Sequence, residues 1–197
     1  CVRVPLTYIF LFLLRKGMCI VAESFHTDQE TRWCPGCGDY AILKAMQRTL
    51  VDIGATKENT VFISGIGCAA RFPYYMATYG FHTIHGRAPS VGTGIKLANP
   101  DLDVWVITGD GEMLMNVGVL ATVATLAPQN LSIVCIDNGC HGETGGQPGH
   151  TAMNTDLALM AKGAGLASTM TANTADDLAE GAKFLIEAAA PRLLVLR

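Results

Sequence analysis

A chain of 197 residues fits one domain of ordinary size and is long enough to bury a core without disulfide support. Half of its residues are hydrophobic and 16% are charged, which suits a sheet that is buried on both faces. The formal net charge of -3 offers no basic surface, so we expect neither nucleic acid nor a membrane as a partner.

The amino-terminal segment differs from the rest of the chain. An apolar run over residues 5–14 is too short to span a bilayer and is followed by Arg15 and Lys16. Because the first methionine is Met18, we expect residues 1–17 to be a non-native extension, with a signal segment as the alternative. The sequence predicts an unstructured or non-native lead-in over residues 1–31 and one domain over residues 32–197.

Hydrophobic patterning predicts alternating strands and helices along the remaining chain. We expect strands over 60–64, 83–87, 102–108, 131–136, 167–170 and 192–196. We expect helices over 39–53, 71–79, 89–97, 114–126, 154–162 and 174–189. Thr174 would cap the last helix, with Asp177 at its third position. The alternation predicts a three-layer α/β fold, in which helices cover both faces of a parallel sheet and ligands bind at the carboxyl ends of the strands.

Two polar corners follow neighbouring predicted strands. Gly109-Asp110-Gly111 ends one strand, and Asn138 follows the next. Carboxylate and amide oxygens suit Mg²⁺, and a backbone carbonyl in the following turn, at Cys140, would supply a third ligand. The glycines would let a diphosphate approach the backbone, and we expect the next helix to point its amino terminus at that anion. This segment therefore predicts a cradle for a metal ion and a diphosphate.

The seven cysteines are too scattered for a secreted disulfide scaffold, so we expect reduced thiols and a cytoplasmic location. The spacing of Cys34 and Cys37 is typical of a metal-ligand pair held by a turn. Structural zinc and plain reduced thiols remain alternatives for this pair.

Gly109-Asp110-Gly111 with Asn138 resembles the thiamine diphosphate motif, whose Asp and Asn ligate magnesium. Five further segments resemble the β subunit of 2-oxoacid:ferredoxin oxidoreductases, especially the 2-oxoglutarate branch: residues 32–43, 64–68, 71–75, 85–89 and 96–100. The resemblance implies oxidative decarboxylation of a 2-oxoacid, with electrons passing to ferredoxin and the acyl group to coenzyme A. It also implies a hetero-oligomer, because a partner α subunit would carry the pyrimidine-binding domain.

The resemblance assigns roles to individual residues. Cys34, Cys37 and Cys68 match three of the four thiolate ligands of a 4Fe-4S cluster, and the family's fourth ligand is not found in this chain. The expected cofactor contacts are Gly65, Ile66, Gly67, Cys68, His85, Gly109, Asp110, Gly111, Glu112, Asn138, Gly142 and Thr144.

Several of these side chains have plainer alternatives. His85 would contact cofactor or substrate, or would be an ordinary core histidine. Arg71 and Arg87 would bind a 2-oxoacid carboxylate, or would be surface cations. Glu112 would contact the cofactor or cap a helix, and His141 would be solvated or catalytic.

Beyond Gly111 the resemblance changes. Residues 112–121 and 137–147 are more similar to the thiamine diphosphate subunit of sulfopyruvate and phosphonopyruvate decarboxylases. Gly145 stands where relatives of the 2-oxoglutarate enzyme carry a lysine, so the substrate is left open. A non-oxidative 2-oxoacid decarboxylase subunit is the alternative function, and a truncated or fused chain that only binds cofactor is a third.

Overall fold

The computed structural model describes residues 25–197, apart from the side chain of Ala175. The predicted extension over residues 1–17 lies outside these residues. Six parallel strands form one sheet in the order β2-β1-β3-β4-β8-β7. These strands are β1 (Thr60–Ser64), β2 (Tyr79–His82), β3 (Asp103–Gly109), β4 (Leu131–Ile136), β7 (Ser168–Ala172) and β8 (Arg192–Leu196). Two short strands, β5 (Cys140–His141) and β6 (Gln147–Pro148), pair antiparallel in a separate hairpin.

Seven helices connect the strands within the described residues. They are α1 (Asp39–Asp52), α2 (Phe72–Tyr75), α3 (Ala88–Ala98), α4 (Asp110–Leu114), α5 (Val119–Leu126), α6 (Leu157–Gly163) and α7 (Ala175–Glu187). Short 3-10 turns lie at Cys68–Arg71, Gly142–Thr144 and His150–Ala152.

The sheet separates two hydrophobic cores, because alternate residues of each strand face opposite sides. Trp105 and Ile107 of β3 join a core that also contains residues of α1 and α7. Val104 and Val106 join a second core with residues of α3, α5 and α6. The predicted three-layer arrangement with helices on both faces is therefore confirmed.

The structure corrects several predicted boundaries. The strand expected over 83–87 is β2, which ends at His82 and pairs with β1 at the edge of the sheet. All four β2 residues are exposed, so this strand lacks the continuous hydrophobic run that marks the buried central strands. The helix expected over 71–79 ends at Tyr75. The lead-in over residues 1–31 was expected to be unstructured or non-native, but within its described part the Phe25 side chain is 2% exposed and packs in the first core.

The helix expected over 114–126 is α5, which begins only at Val119 with Gly118 as its N-cap, and the separate short helix α4 ends at Leu114. The helix expected from residue 154 begins at Leu157, because the Asp156 side chain caps it by accepting from the Leu159 N–H at 2.8 Å. The capping box of Thr174 and Asp177 forms at the start of α7. No helix within residues 25–197 has the length and hydrophobicity that crossing a membrane requires.

Candidate active site

The candidate site lies where the parallel strands end. Ser64 of β1, Gly109 of β3 and Ile136 of β4 are the last residues of three adjacent strands. Because parallel strands end at the same edge, the loops after them converge there. This convergence brings together the polar corners that the sequence predicted at Asp110 and Asn138.

Asp110 begins α4 directly after β3 and is 4% exposed. Its Oδ2 atom accepts a hydrogen bond from the Thr151 hydroxyl at 2.9 Å. Burial raises the pKa of the Asp110 carboxyl, the Thr151 hydrogen bond opposes that increase, and the nearby charge of Asp137 adds to it. Asp110 is therefore a buried carboxylate held in a defined orientation, as a metal ligand must be.

Asn138 follows β4 and is half-buried. Its Oδ1 atom accepts a hydrogen bond from the Cys140 N–H at 3.0 Å, which closes a tight turn. The turn fixes the amide and the Cys140 backbone relative to each other. The predicted set of Asp110, Asn138 and the Cys140 carbonyl thus lies on neighbouring strand ends, and its oxygen donors match the chemistry of Mg²⁺. The helix expected to point its amino terminus at the diphosphate is α4, which is only five residues long.

The buried Glu112 side chain contacts residues at or just after the ends of three neighbouring strands, β1, β2 and β3. It is 3% exposed, and its carboxylate accepts hydrogen bonds from the Gly86 N–H and the Thr108 hydroxyl, both at 3.2 Å. A Cβ atom on Gly65 would lie only 1.3 Å from Glu112 Oε1, so the β1 loop also rests on this carboxylate. Burial raises the pKa of Glu112, and its hydrogen bonds and His85 oppose that increase. Glu112 therefore joins the strand ends to one another, a role that neither sequence alternative described.

The loop after β1 contains four predicted cofactor contacts. Gly65 is enclosed by Glu112, whereas the Ile66 side chain is 52% exposed. Gly67 has a φ of 117°, which only glycine adopts readily, and it precedes the turn that begins at Cys68. His85 lies beyond β2 in an exposed turn and is no core residue. Ile66, in the loop after β1, and His85, in the turn after β2, therefore face solvent beside the buried Glu112.

The cysteines predicted as cluster ligands lie on two segments that contact each other. The Trp33 indole donates to the Cys68 carbonyl at 2.8 Å, and a turn joins the Cys37 N–H to the Cys34 carbonyl at 3.0 Å. Burial raises the pKa of the Cys37 and Cys68 thiols to about 11. Among residues 25–197, no group of three or more His, Cys, Asp or Glu side chains is placed to hold a metal ion.

Arg71 is engaged by neighbouring groups. Its Nη1 atom donates to the Arg32 carbonyl at 2.6 Å, and its Nη2 atom lies 3.8 Å from Glu143 Oε1. The same Glu143 oxygen lies 3.5 Å from Cys68 Sγ. Arg71 therefore bridges the cysteine segments and the β5–β6 hairpin, while Arg87 is exposed at the start of α3.

The β5–β6 hairpin carries the remaining predicted contacts. Gly142 and Thr144 are exposed in its loop, and Thr144 Oγ1 donates to Gln147 Oε1 at 2.9 Å. The exposed His141 ring lies against Gly111, where an added Cβ would come within 2.9 Å of it. The hairpin thus covers the Gly109–Gly111 turn from the solvent side.

Three functional candidates were missed by the sequence analysis: Asp137, Thr151 and Arg197. Thr151 Oγ1 lies 2.6 Å from Asp137 Oδ1, and Arg197 Nε donates to Asp137 Oδ2 at 2.9 Å. Asp137 stands beside Asn138, and that position was the one sequence signal that could have identified it.

The family model for the thiamine pyrophosphate enzyme, C-terminal TPP binding domain, matches residues 65–196. The chain is 53% identical over 125 residues to the 2-oxoglutarate oxidoreductase subunit KorB of Mycobacterium tuberculosis. The aligned segment covers 64% of this chain and 34% of that protein. It is 44% identical over 130 residues to the 2-oxoacid:ferredoxin oxidoreductase 1, subunit beta, of Aeropyrum pernix. That alignment covers 65% of this chain and 40% of that protein.

A solved structure is also similar: the 2-oxoglutarate:ferredoxin oxidoreductase from Magnetococcus marinus with 2-oxoglutarate, coenzyme A and succinyl-CoA bound. It matches with a TM-score of 0.80 and 29% identity, covering 92% of this chain and 68% of that chain. These similarities confirm the resemblance to 2-oxoacid:ferredoxin oxidoreductase β subunits and the diphosphate-binding α/β fold. The aligned segments span only 34% and 40% of the two curated relatives.

Proposed function

The chain belongs to the thiamine pyrophosphate enzymes through their C-terminal TPP binding domain, and from this premise we propose that it is the cofactor-binding subunit of a 2-oxoacid:ferredoxin oxidoreductase. The observation that carries the proposal is the pair of side chains with oxygen donors, Asp110 and Asn138, that follow the adjacent strands β3 and β4. The reaction would be the oxidative decarboxylation of a 2-oxoacid, with electrons passing to ferredoxin and the acyl group to coenzyme A.

The residues at these strand ends fit magnesium and a diphosphate. Asp110, Asn138 and the Cys140 carbonyl would bind Mg²⁺, which shares its ligand shell with phosphate oxygens. The glycine-flanked turn at Gly109–Gly111 and the hairpin residues Gly142 and Thr144 would line the diphosphate. Thiamine diphosphate, when bound, supplies the electron sink that accepts negative charge from the substrate carbon as carbon dioxide leaves.

The remaining residues of the site would orient the cofactor and the substrate. Glu112 holds the loop after β1 and the turn that contains Gly86, so it sets where Ile66 and His85 face the cofactor. His85 would contact the substrate or the cofactor from its exposed turn. Arg71 would bind the 2-oxoacid carboxylate only after leaving Glu143, because its guanidinium is already engaged there.

Cys34, Cys37 and Cys68 would hold an iron-sulfur cluster as part of its ligand set once their side chains move together, since within residues 25–197 they are not arranged as a group of metal ligands. The contact between Trp33 and the Cys68 carbonyl supports this assignment, because it joins the two cysteine segments. The raised pKa values of Cys37 and Cys68 mean that ligation would have to displace their thiol protons. Reconstitution with ferrous iron and sulfide should give brown visible absorbance that Cys68→Ala lowers.

The functional unit would include an α subunit that carries the pyrimidine-binding domain. Tyr74, Tyr79 and Phe81 are 56%, 60% and 51% exposed around the edge strand β2, where an aromatic surface supports contact with another protein. Ferredoxin and coenzyme A would act on the assembled complex.

Isothermal titration calorimetry with thiamine diphosphate and Mg²⁺ tests the proposal directly. The chain should bind the cofactor, and Asp110→Ala should abolish binding. Asp101→Ala is the matched control, since Asp101 is an exposed acid next to the opposite end of β3. With the α subunit added, the complex should reduce ferredoxin in a 2-oxoacid-dependent reaction. A chain that binds no cofactor, or a complex that reduces no ferredoxin, would contradict the proposal.

A non-oxidative 2-oxoacid decarboxylase subunit is the second candidate. The observation in its favour is that residues 112–121 and 137–147 resemble the thiamine diphosphate subunit of sulfopyruvate and phosphonopyruvate decarboxylases. Aldehyde release in the absence of an electron acceptor would favour this candidate over the first.

A further inference from the structure

A continuous set of polar contacts runs from Asp110 to the last residue of the described chain. Thr151 Oγ1 lies 2.9 Å from Asp110 Oδ2 and 2.6 Å from Asp137 Oδ1, so its single hydroxyl hydrogen stands between two carboxylates and is donated to one of them at a time. Arg197 Nε donates to Asp137 Oδ2 at 2.9 Å, and its Nη2 atom donates to the Thr151 carbonyl at 3.0 Å. Asp110, Asp137 and Thr151 are 4%, 5% and 7% exposed, so water competes little for these contacts.

Each member of this set comes from a different part of the fold. Asp110 follows β3, Asp137 follows β4, Thr151 lies in the 3-10 turn after the hairpin, and Arg197 follows β8. Since β3, β4 and β8 are neighbours in the sheet, their ends meet at one place. The Asp110 side chain is therefore oriented by groups from the two strands beyond its own.

The packing around Asp110 leaves little freedom for another orientation. A Cβ atom on Gly149 would lie 3.0 Å from Asp110 Oδ2 and 3.2 Å from the Gly139 carbonyl oxygen. The Gly149 N–H also donates to that carbonyl at 2.7 Å, which holds the backbone of this turn against the carboxylate. Thr151, two residues further on, is fixed by the same turn.

We propose that Thr151, Asp137 and Arg197 are positioning residues that hold Asp110 in the orientation needed to bind Mg²⁺. This inference rests on the proposed function, because it takes Asp110 to be the metal ligand. Asp137 is not itself a ligand, since its two oxygens are engaged by Arg197 on one side and by Thr151 and the Gly139 N–H on the other. Removing a group that orients a ligating carboxylate typically lowers metal affinity by about 10- to 100-fold.

The test is a calorimetric titration of Mg²⁺ into the full chain saturated with thiamine diphosphate, which measures the dissociation constant of Mg²⁺. Thr151→Val keeps the shape of the side chain and removes the hydroxyl, so it should weaken Mg²⁺ binding by about 10- to 100-fold. Thr151→Ser restores the hydroxyl and should return the dissociation constant to within about threefold of wild type. Arg197→Met should weaken Mg²⁺ binding in the same direction as Thr151→Val.

Arg192→Met is the matched control for the arginine variant. Arg192 begins the strand that Arg197 follows, and it donates to Ser132 Oγ at 2.8 Å and to the Ala188 carbonyl at 2.7 Å, away from the site. It should leave the Mg²⁺ dissociation constant within about twofold of wild type, because its partners lie at the opposite end of the sheet. Far-UV circular dichroism establishes that each variant is folded, and the two arginine variants decide the matter if Thr151→Val does not fold.

Equal Mg²⁺ affinity in wild type and a folded Thr151→Val would overturn the positioning role while leaving the proposed function intact. Equal losses in Arg197→Met and Arg192→Met would also overturn it, since they would indicate general destabilisation. A wild-type chain that binds neither thiamine diphosphate nor Mg²⁺ would overturn the proposed function, and this inference with it.

Discussion

Replacing Gly65 with alanine tests how the strand ends are held together. The added Cβ would lie 1.3 Å from Glu112 Oε1 and 2.4 Å from Glu112 Cδ, so the carboxylate must move. That carboxylate accepts hydrogen bonds from the Gly86 N–H and the Thr108 hydroxyl, each at 3.2 Å. A displaced carboxylate would remain buried with fewer partners, which is costly in a site shielded from water.

The loss follows from the hydrogen bonds rather than from the collision, because a glutamate side chain is flexible. A hydrogen bond to a charged group contributes about 1.5–3 kcal/mol, so losing both would lower the free energy of unfolding by about 3–6 kcal/mol. A rotation that keeps one of them would reduce the loss to about 2–3 kcal/mol. Urea denaturation followed by tryptophan fluorescence measures this difference.

Gly94→Ala is the matched control. Gly94 lies in α3, where an added Cβ would meet nothing within 4 Å. Alanine is the better helix former, so this variant should be unchanged or more stable by up to about 1 kcal/mol. A Gly65→Ala variant as stable as Gly94→Ala would refute the reasoning.

A double-mutant cycle identifies Glu112 as the cause. Once Glu112→Ala has removed the carboxylate, Gly65→Ala should cost little more, so the two losses should fall short of additivity by at least about 1 kcal/mol. Additive losses would show that the Gly65 effect arises elsewhere.

Four further outcomes are expected from urea or thermal unfolding. Gly92→Ala should lower the free energy of unfolding by about 1–3 kcal/mol, because its Cβ would lie 2.6 Å from Val106 Cγ2 in the core. Thr174→Ala should cost about 1 kcal/mol through loss of the α7 cap. Hydrogen bonds from the Asn173 N–H and from Thr174 lower the pKa of Asp177. The stabilising effect of its carboxylate should therefore be present at neutral pH and lost as the pH falls through the folded-state pKa. The difference in stability between wild type and Asp177→Asn should then disappear in acid. Glu143→Gln should change stability by less than about 1 kcal/mol, since its ion pair is half-exposed.

The sequence predicted a strand correctly where the strand's own residues contain the whole hydrophobic pattern. The buried runs at β1, β3 and β4 predicted their own strands, because a parallel strand covered on both faces is hydrophobic throughout. Asp110 and Asn138 could be placed together because each directly follows such a strand. The bounds of β2 were predicted wrongly, because its four residues are exposed at the sheet edge and form no buried hydrophobic run.

The role of Glu112 could not be read from the sequence. Its partners are the Gly86 N–H, 26 residues earlier, and the Thr108 hydroxyl, and its contact with Gly65 crosses from β3 to β1. Both sequence alternatives placed it at the surface of the site, on the cofactor or on a helix end. Only the convergence of three loops made it a buried link between them.

The sequence by itself determined the α/β class and the strand ends that carry Asp110 and Asn138, and its resemblance to thiamine diphosphate enzymes indicated the cofactor. The first two follow from local hydrophobic patterning and from the residue types at each strand end. The tertiary structure decided what supports that pair. Asp137 and Arg197 are 60 residues apart, and they meet only because β4 and β8 are neighbours in the sheet, which brings Thr151 between the two carboxylates.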